Sequence, residues 1–231
     1  MEFTLLGSVA IAVLVMYGIL WFEGGRTNAA DCTRDVWDAL VSAAVVGVVI
    51  GRLTAMISAG TNPVAHPRDI LIVRAGVDTI AASMSAVATY VVLTRKDPWW
   101  LADAAAPAAI AGLAGWHGGC VVRDACLGTP SDLPWAVAQA GSVVSRHPVE
   151  IYTALLLLVT VGLLVWWKRH RPRPGVIAAI AVAAAATARL ITEPLRPGLG
   201  GNLVGWYSIA AVAALSVAAL RLRRSSRRHP I

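Results

Sequence analysis

The twenty residues 148–167, PVEIYTALLLLVTVGLLVWW, decide the fold of this chain. They contain one charged residue, Glu150, close to the start, and they end in two tryptophans. A helix of about 20 apolar residues spans the hydrocarbon core of a bilayer, and tryptophans gather at the membrane interface. The stretch therefore predicts a transmembrane helix.

The composition extends this prediction to the whole chain. Hydrophobic residues make up 57% of the 231 residues and charged residues only 14%, whereas soluble domains carry about 25% charged residues. We expect an all-α integral membrane protein that forms a single polytopic membrane domain over residues 1–231. Its first apolar stretch is expected to stay as a helix and not to be removed as a signal peptide. Seven transmembrane helices are predicted over residues 3–22, 39–60, 70–93, 101–122, 148–167, 175–192 and 203–220.

The lysines and arginines between these helices set the expected orientation. One set of connecting segments, with the C-terminal tail, holds 13 of them, and the opposite set holds 4. Because basic residues concentrate on the cytoplasmic side, we expect the N-terminus outside and the C-terminus inside. The basic clusters abut helix ends and lack interleaved aromatic residues. This pattern indicates contact with anionic inner-leaflet lipids and argues against nucleic-acid binding.

Five ionisable residues lie inside or at the rims of the apolar stretches, and they are Arg52, Arg74, Asp78, Arg189 and Glu193. A charge at the bilayer centre costs roughly 2.5 kcal/mol or more, so charges kept at depth usually line a cavity or a substrate path. The expected orientation places all five in the outer half of the membrane. Arg74 with Asp78, and Arg189 with Glu193, have the i to i+4 spacing of one helix face. Salt bridges that only hold the helices together are the alternative interpretation.

The excess of arginine in this set indicates the kind of ligand. Arg52, Arg74 and Arg189 outnumber the two acidic residues, and the fixed fork of guanidinium donors suits phosphate oxygens. A phospholipid headgroup fits both the charge and the depth. His117 falls at a similar depth in its helix.

The least membrane-like stretch on the expected outer side is 123–147. It contains a run of turn-forming residues closed by Trp135, so we expect an outer loop or a partly re-entrant segment that caps the cavity. His147, Glu150 and Tyr152 follow at the start of the next helix and are site candidates.

The cysteines and histidines give weaker signals. Cys120 and Cys126 lie on the expected oxidising side and could pair, but their spacing does not decide it. Cys32 falls on the inner side. No metal is expected, because the histidines and cysteines lack the spacing of metal ligands.

Residues 146–152 read RHPVEIY, residues 128–135 read GTPSDLPW and residues 188–196 read ARLITEPLR. These segments resemble signatures of one known family, the bacterial prolipoprotein diacylglyceryl transferases. The first is similar to its Arg-His-Pro-x-Gln-Leu-Tyr-Glu signature and the second to its Gly-x-Pro-Thr-Asp-Leu-Pro-Trp element. Residues 188–196 are similar to its Phe-Arg-x-x-x-Glu-x-x-Arg. Tyr17-Gly18 and Gly51-Arg52 look like parts of its first two helices. The resemblance runs in the right order over nearly the whole chain.

Several signature positions differ from the family. Its His-Gly-Gly falls on Arg74-Ala75-Gly76, and its Gly-Arg-x-Gly-Asn falls on residues 116–120, where His117 takes the place of the arginine. Arg123 stands where the family usually has an asparagine or a similar residue. The histidine and arginine functions would thus be exchanged in position, with a base at 117 and an arginine at 74.

The resemblance implies an enzyme of the bacterial cytoplasmic membrane that needs no cofactor. It would move the diacylglyceryl group of phosphatidylglycerol to the lipobox cysteine thiol in the signal peptide of a preprolipoprotein. Arg189 and Arg52 would bind the phosphate, Glu193 would orient Arg189, and His147 and His117 would complete the catalytic set. The implied substrate-binding residues are Arg52, Arg74, Tyr17, Glu150, Tyr152, Gly128 and Arg123.

Two other functions stay open at this point. The first is a lipid-binding homologue that is catalytically silent or has another substrate. The second is a small transporter, which would require polar residues that continue to the inner leaflet. The inner helix halves carry almost only Ala, Val, Leu and Ile, with Asp103 as the exception. The transporter is therefore the less supported of the two.

Overall fold

The computed structural model describes residues 4–27, 30–65, 77–95, 98–123, 126–139, 141–170, 172–196 and 203–223. These residues are mostly helical. The helices are α1 (Thr4–Thr27), α2 (Ala30–Ser58), α3 (Thr79–Leu93), α4 (Pro98–Gly118), α5 (Cys120–Arg123), α6 (Val149–Lys168), α7 (Val176–Thr192) and α8 (Leu203–Arg223). A 3-10 turn, Glu193–Leu195, follows α7 directly.

Several of these helices are long and apolar enough to cross a membrane, as the composition predicted. Within the described residues, four such segments are Val36–Ser58, Val149–Lys168, Val176–Leu195 and Val204–Arg223. Shorter apolar helices cover Gly7–Glu23 and Ile80–Leu93. The prediction of a mostly helical membrane protein is confirmed, whereas seven crossings and their orientation stay predictions.

Contacts at the helix ends fix the directions of the helices. Near the start of α1, Ser8 Oγ donates a hydrogen bond to the carbonyl of Gly119, just past the end of α4 (3.0 Å). At the other end of α1, Glu23 Oε1 lies 3.0 Å from Nζ of Lys168, the last residue of α6. Helix α1 is therefore antiparallel to α4 and parallel to α6. We call the end near Ser8 the sheet end and the other end the far end.

The remaining long helices follow the same alternation. The first turn of α7 lies at the far end, where Asp103 of α4 accepts hydrogen bonds from the backbone N–H of Gly175 (2.7 Å) and of Ala178 (2.8 Å). Helix α8 runs back, because Arg221 near its end donates to the carbonyl of Pro174 (2.7 Å). Gly175 has a φ of +88°, a conformation that glycine adopts without strain.

The core lies between α4, α6 and α7. Alanines on α4 and α7 let the helix backbones approach closely, which is how helices pack in a membrane that supplies no hydrophobic driving force. The buried core residues are Ala106, Ile110, Ala111, Ala114, Leu157, Val161, Leu164, Ile177, Ala181 and Ala188.

Helix α3 begins later than predicted. The apolar run 70–93 predicted a helix with Arg74 and Asp78 on one face, but α3 starts at Thr79 and Asp78 has an extended backbone (φ −68°, ψ 112°). Its Oδ1 accepts a hydrogen bond from the backbone N–H of Ala81 (2.8 Å). This carboxylate satisfies an unpaired donor of the first helical turn. The prediction that Asp78 lies inside a helix is therefore wrong. Arg74, its expected partner, lies outside the described residues.

The segment predicted as an outer loop or re-entrant segment, 123–147, contains a small sheet. Its strands are β1 (Leu127–Pro130), β2 (Val137–Ala138) and β3 (Ser145–Pro148), and β3 lies between the other two in antiparallel pairing. A disulfide joins Cys120 of α5 to Cys126, the residue before β1. The pairing that the spacing left open is thus present, and it fastens the sheet to the end of α4.

Candidate active site

Glu150 is the centre of a polar group at the sheet end. It lies in the first turn of α6, where the helix dipole favours a negative charge. Its Oε2 contacts Nδ1 of His117, and its Oε1 contacts Nη2 of Arg196. His117 comes from the last turn of α4, and Arg196 follows the 3-10 turn after α7. Three separate elements therefore meet at one carboxylate, whose side chain is only 14% exposed.

A second polar group is built around Arg189 in the last turn of α7. Its Nη2 lies 3.8 Å from Oε2 of Glu193, so the two share a helix face as the i to i+4 spacing predicted. Its Nε and Nη2 both donate to the hydroxyl of Tyr207 on α8 (3.3 Å each). The guanidinium carbon also lies 5.4 Å from the centre of the Tyr207 ring. Arg189 is thus held from two sides.

Three buried polar atoms in these groups have no hydrogen-bond partner within the part of the chain that the structure describes. They are Nη1 of Arg189, Oε2 of Glu193 and Nε of Arg196. Buried donors in native proteins are almost always paired, so such atoms call for a ligand or water. Two of the three are guanidinium donors. The site is therefore suited to an anion.

The two groups are neighbours along α6 and α7. Thr153, one turn after Glu150, donates from its buried hydroxyl to Oγ1 of Thr192 (3.1 Å), the residue before Glu193. The hydroxyl of Thr192 in turn bonds the carbonyl of Ala188 (3.0 Å). These bonds fix the start of α6 against the end of α7. Together, His117, Glu150, Arg189, Glu193, Arg196 and Tyr207 form what we call the polar cluster.

Gly128 lets the sheet approach the polar cluster closely. A side chain at this position would place its Cβ 2.3 Å from Cγ2 of Val149 and 2.6 Å from the carbonyl oxygen of Leu195. Arg146 on β3 donates to the carbonyl of Gly128 (3.2 Å). The sheet therefore packs on the start of α6 and on the 3-10 turn that leads to Arg196.

His147 faces a different partner from Glu150. Its Nδ1 lies 3.4 Å from the hydroxyl of Tyr152, and Trp135 Nε1 donates to that hydroxyl (2.8 Å). Trp135 is 57% exposed, so these three aromatic residues form an open rim beside the polar cluster. His147 and Glu150 were both predicted as site candidates, but Glu150 engages His117 and Arg196 instead of His147.

The other predicted site residues whose side chains the structure describes lie in α1 and α2. Arg52 is 4% exposed within α2, beside Gly51, whose carbonyl accepts from the backbone N–H of Asp78 (3.0 Å). Tyr17 is 51% exposed and packs edge-on against Trp37, 5.2 Å between ring centres. It lies about 13 Å further along α1 than Ser8, toward the far end. Arg74 and the side chain of Arg123 lie outside what the structure describes.

Arg196 and Tyr207 were missing from the predicted site residues. Arg196 carries a signal in the sequence, because it is the last residue of the segment that resembles Phe-Arg-x-x-x-Glu-x-x-Arg. Burial lowers the pKa of Arg196, and Tyr207 opposes that shift; the guanidinium pKa starts so high that the group stays charged. Tyr207 gives no signal beyond its place after an interfacial tryptophan, Trp206.

These features define a class of protein: a helical membrane protein with a buried, arginine-rich polar cluster at one end of its helices. Among the described residues, no group of three or more His, Cys, Asp or Glu side chains could hold a metal ion. A model of the prolipoprotein diacylglyceryl transferase family matches residues 3–222. The chain belongs to this family, which confirms the resemblance.

Individual proteins that are similar to this chain support the same family assignment. A phosphatidylglycerol–prolipoprotein diacylglyceryl transferase of Bordetella avium is 29% identical over 96% of this chain and 89% of its own length. The enzyme of that name from Solidesulfovibrio magneticus is 30% identical over 84% of this chain and 78% of its length. The enzyme of that name from a Polaromonas species is 31% identical over 80% of this chain and 75% of its own length. The chain thus covers most of each relative.

Proposed function

We propose that this protein is a phosphatidylglycerol–prolipoprotein diacylglyceryl transferase of the bacterial cytoplasmic membrane. It transfers the diacylglyceryl group of phosphatidylglycerol to the lipobox cysteine of a preprolipoprotein. Family membership over residues 3–222 supports the activity. The observation that carries the assignment of the site is the largely buried Arg189, which contacts Glu193 and Tyr207 and keeps a buried, unpaired Nη1.

The chemistry requires an anion site of this kind. The thiol sulfur attacks a glycerol carbon, the bond from that carbon to the phosphate oxygen breaks, and glycerol phosphate leaves. The phosphate gains a negative charge as this bond breaks, so donors fixed in advance around it lower the barrier. Arg189 Nη1 and Arg196 Nε are buried donors that need no reorganisation to bind phosphate oxygens. Glu193 acts by holding Arg189 in place.

Other predicted site residues supply the rest of the substrate site in this proposal. Arg52, Arg74 and Arg123 add positive charge for the headgroup. Tyr152 and His147 line the open rim with Trp135, and Gly128 sets the distance of the sheet from α6. Tyr17 contacts the substrate from α1, toward the far end. Removal of the thiol proton needs a base, and His117 and His147 are both candidates on this face of the molecule.

The membrane placement follows from the same features. We propose seven crossings with the sheet end outside, so that the polar cluster lies at the level of the outer-leaflet headgroups. The far end, with its basic residues, then contacts anionic lipids of the inner leaflet. A homologue that binds phosphatidylglycerol without catalysis is the competing function, because several signature positions differ from the family.

Expression in cells depleted of their own transferase tests the proposal. The readout is the mobility and lipid labelling of a reporter preprolipoprotein. The wild-type protein should modify the reporter, and Arg189→Ala should lower the rate roughly 100-fold or more, because a fixed donor to the departing phosphate is lost.

The matched control is Arg169→Ala. Arg169 is exposed at the far end of α6, and its loss should leave the rate unchanged. A wild-type protein that is well expressed, folded and able to bind phosphatidylglycerol but leaves the reporter unmodified would establish the silent homologue instead.

A further inference from the structure

His117 and Glu150 form a largely buried pair with the contact that proton transfer requires. The side chains are 10% and 14% exposed, and Nδ1 of His117 contacts Oε2 of Glu150. A carboxylate at one ring nitrogen fixes the orientation of the imidazole and its tautomer. The proton then sits on Nδ1, which leaves Nε2 as the nitrogen that accepts a proton.

Arg196 pairs with the same carboxylate from its other side. It contacts the other oxygen of Glu150, Oε1, and the first turn of α6 also favours a negative charge there. The carboxylate is therefore bound at both oxygens and cannot rotate away from His117. It also stabilises the imidazolium that forms when His117 takes up a proton, as a buried carboxylate does in a catalytic triad.

We propose that His117 is the base that removes the proton of the acceptor thiol, and that Glu150 is its positioning residue. This inference rests on the proposed function. The S–H proton moves to Nε2 of His117, the sulfur electron pair forms the new C–S bond, and the electron pair of the broken C–O bond leaves with the phosphate. The imidazolium then returns its proton to the glycerol phosphate or to water.

His147 is less suited to this role. Its Nδ1 faces the hydroxyl of Tyr152 in the open rim, and a neutral phenol stabilises an imidazolium much less than a carboxylate does. Among the histidines whose contacts the structure describes, His117 is the one bound to a carboxylate.

A selenocysteine substrate separates a base from a merely structural residue. A selenol ionises at lower pH than a thiol, so near neutral pH it needs no base. Purified full-length protein is given phosphatidylglycerol and a lipobox peptide that carries either cysteine or selenocysteine. With the cysteine peptide, His117→Ala should lower kcat about 100-fold or more and change KM little. With the selenocysteine peptide, most of that loss should disappear.

Glu150→Gln should also slow transfer to the cysteine peptide more than transfer to the selenocysteine peptide, but by a smaller factor than His117→Ala. Glu150→Asp should recover part of the rate on the cysteine peptide. One control is His170→Ala, at an exposed histidine that packs edge-on against Trp166 at the far end. The other is Asp132→Asn, at an exposed carboxylate before β2. Neither should change either rate. His117→Asn provides a second variant of similar size.

The outcomes are distinct. The base assignment is overturned if His117→Ala and His117→Asn modify the cysteine peptide at the wild-type rate. It is equally overturned if both, folded as judged by their unfolding temperature, lose activity on the two peptides to the same extent. A wild-type protein that modifies neither peptide would overturn the proposed function itself, and the base assignment with it.

Discussion

At Glu150, one carboxylate serves two partners, His117 through Oε2 and Arg196 through Oε1. In the family signatures that this chain resembles, glutamine stands at the position of Glu150 and arginine at that of His117. The two differences are in contact with each other in the structure. Together they replace an arginine–glutamine pair by a histidine–glutamate pair, which is complementary in charge when the histidine is protonated.

The sequence gives no hint of this pairing, because the two residues are 33 positions apart. The Arg189–Glu193 pair could be predicted, since a spacing of four residues within one helix is enough to place two side chains together. The same spacing led us to predict that Asp78 lies inside a helix, and that prediction was wrong. Spacing alone does not distinguish a residue inside a helix from a cap before it, and only the extended backbone at Asp78 shows that its carboxylate is a cap.

Gly128 provides a test at the scale of a single residue. Gly128→Ala would place a methyl group 2.3 Å from Val149 and 2.6 Å from the backbone of Leu195. The sheet must then move away from α6, which should cost roughly 1–3 kcal/mol and displace Arg196. We expect a lower unfolding temperature in detergent and a lower transfer rate.

The same substitution at Gly162 is the control. Nothing lies within 4 Å of a Cβ at this position in α6, and alanine is the better helix former. Gly162→Ala should therefore unfold at or above the wild-type temperature. Equal destabilisation by both alanines would contradict the close packing at Gly128.

At the scale of elements, the helices were predictable and the strands were not. A helix in a bilayer must satisfy its backbone internally and show an apolar surface, so hydropathy alone marks it. The strands of the sheet have four, two and four residues and lie among turn-forming residues without a clear alternation. Their pairing depends on contacts with α6 and the 3-10 turn, which local sequence does not record.

A substitution at Asp103 tests how α4 anchors the start of α7. Its carboxylate accepts from the backbone N–H groups of Gly175 and Ala178 and so caps the start of α7 from a residue of α4. Asp103→Ala removes a cap and should lower the free energy of unfolding by about 1 kcal/mol. The transfer rate below the unfolding temperature should stay close to wild type, because the cap is at the far end. Thermal unfolding and reporter labelling measure the two effects.

Asp132→Ala is the matched control, since Asp132 is exposed. Its unfolding temperature should not change. A loss of activity in Asp103→Ala without any loss of stability would assign Asp103 a role other than capping.

At the scale of the whole molecule, alternating helix directions separate two chemically different ends. The sheet end holds the polar cluster, and the far end holds Lys168, Arg173 and Arg221, which bind backbone carbonyls. Arg221 also stacks on Trp99, 3.7 Å from the ring centre. Hydropathy and the positive-inside rule predict this division from sequence, because both follow from the bilayer and not from the fold.

Cysteine labelling tests the expected orientation. In a Cys32→Ser background, Asp132→Cys should react with a membrane-impermeant maleimide in intact cells, because the sheet end is expected outside. Arg169→Cys should react only after the membrane is opened. Reaction of Arg169→Cys in intact cells, with Asp132→Cys protected, would reverse the topology and move the site to the inner leaflet.

The Cys120–Cys126 disulfide has a consequence for an enzyme whose acceptor is a thiol. Cys120 follows His117 by three residues and is fully buried beside the end of α4. A thiol close enough to the polar cluster to react would be a rival acceptor for the lipid, and it would stay attached to the enzyme. Since both sulfurs are used in the bond, neither can take the lipid. The disulfide therefore keeps the lipid from being transferred to either of these two cysteines of the enzyme itself.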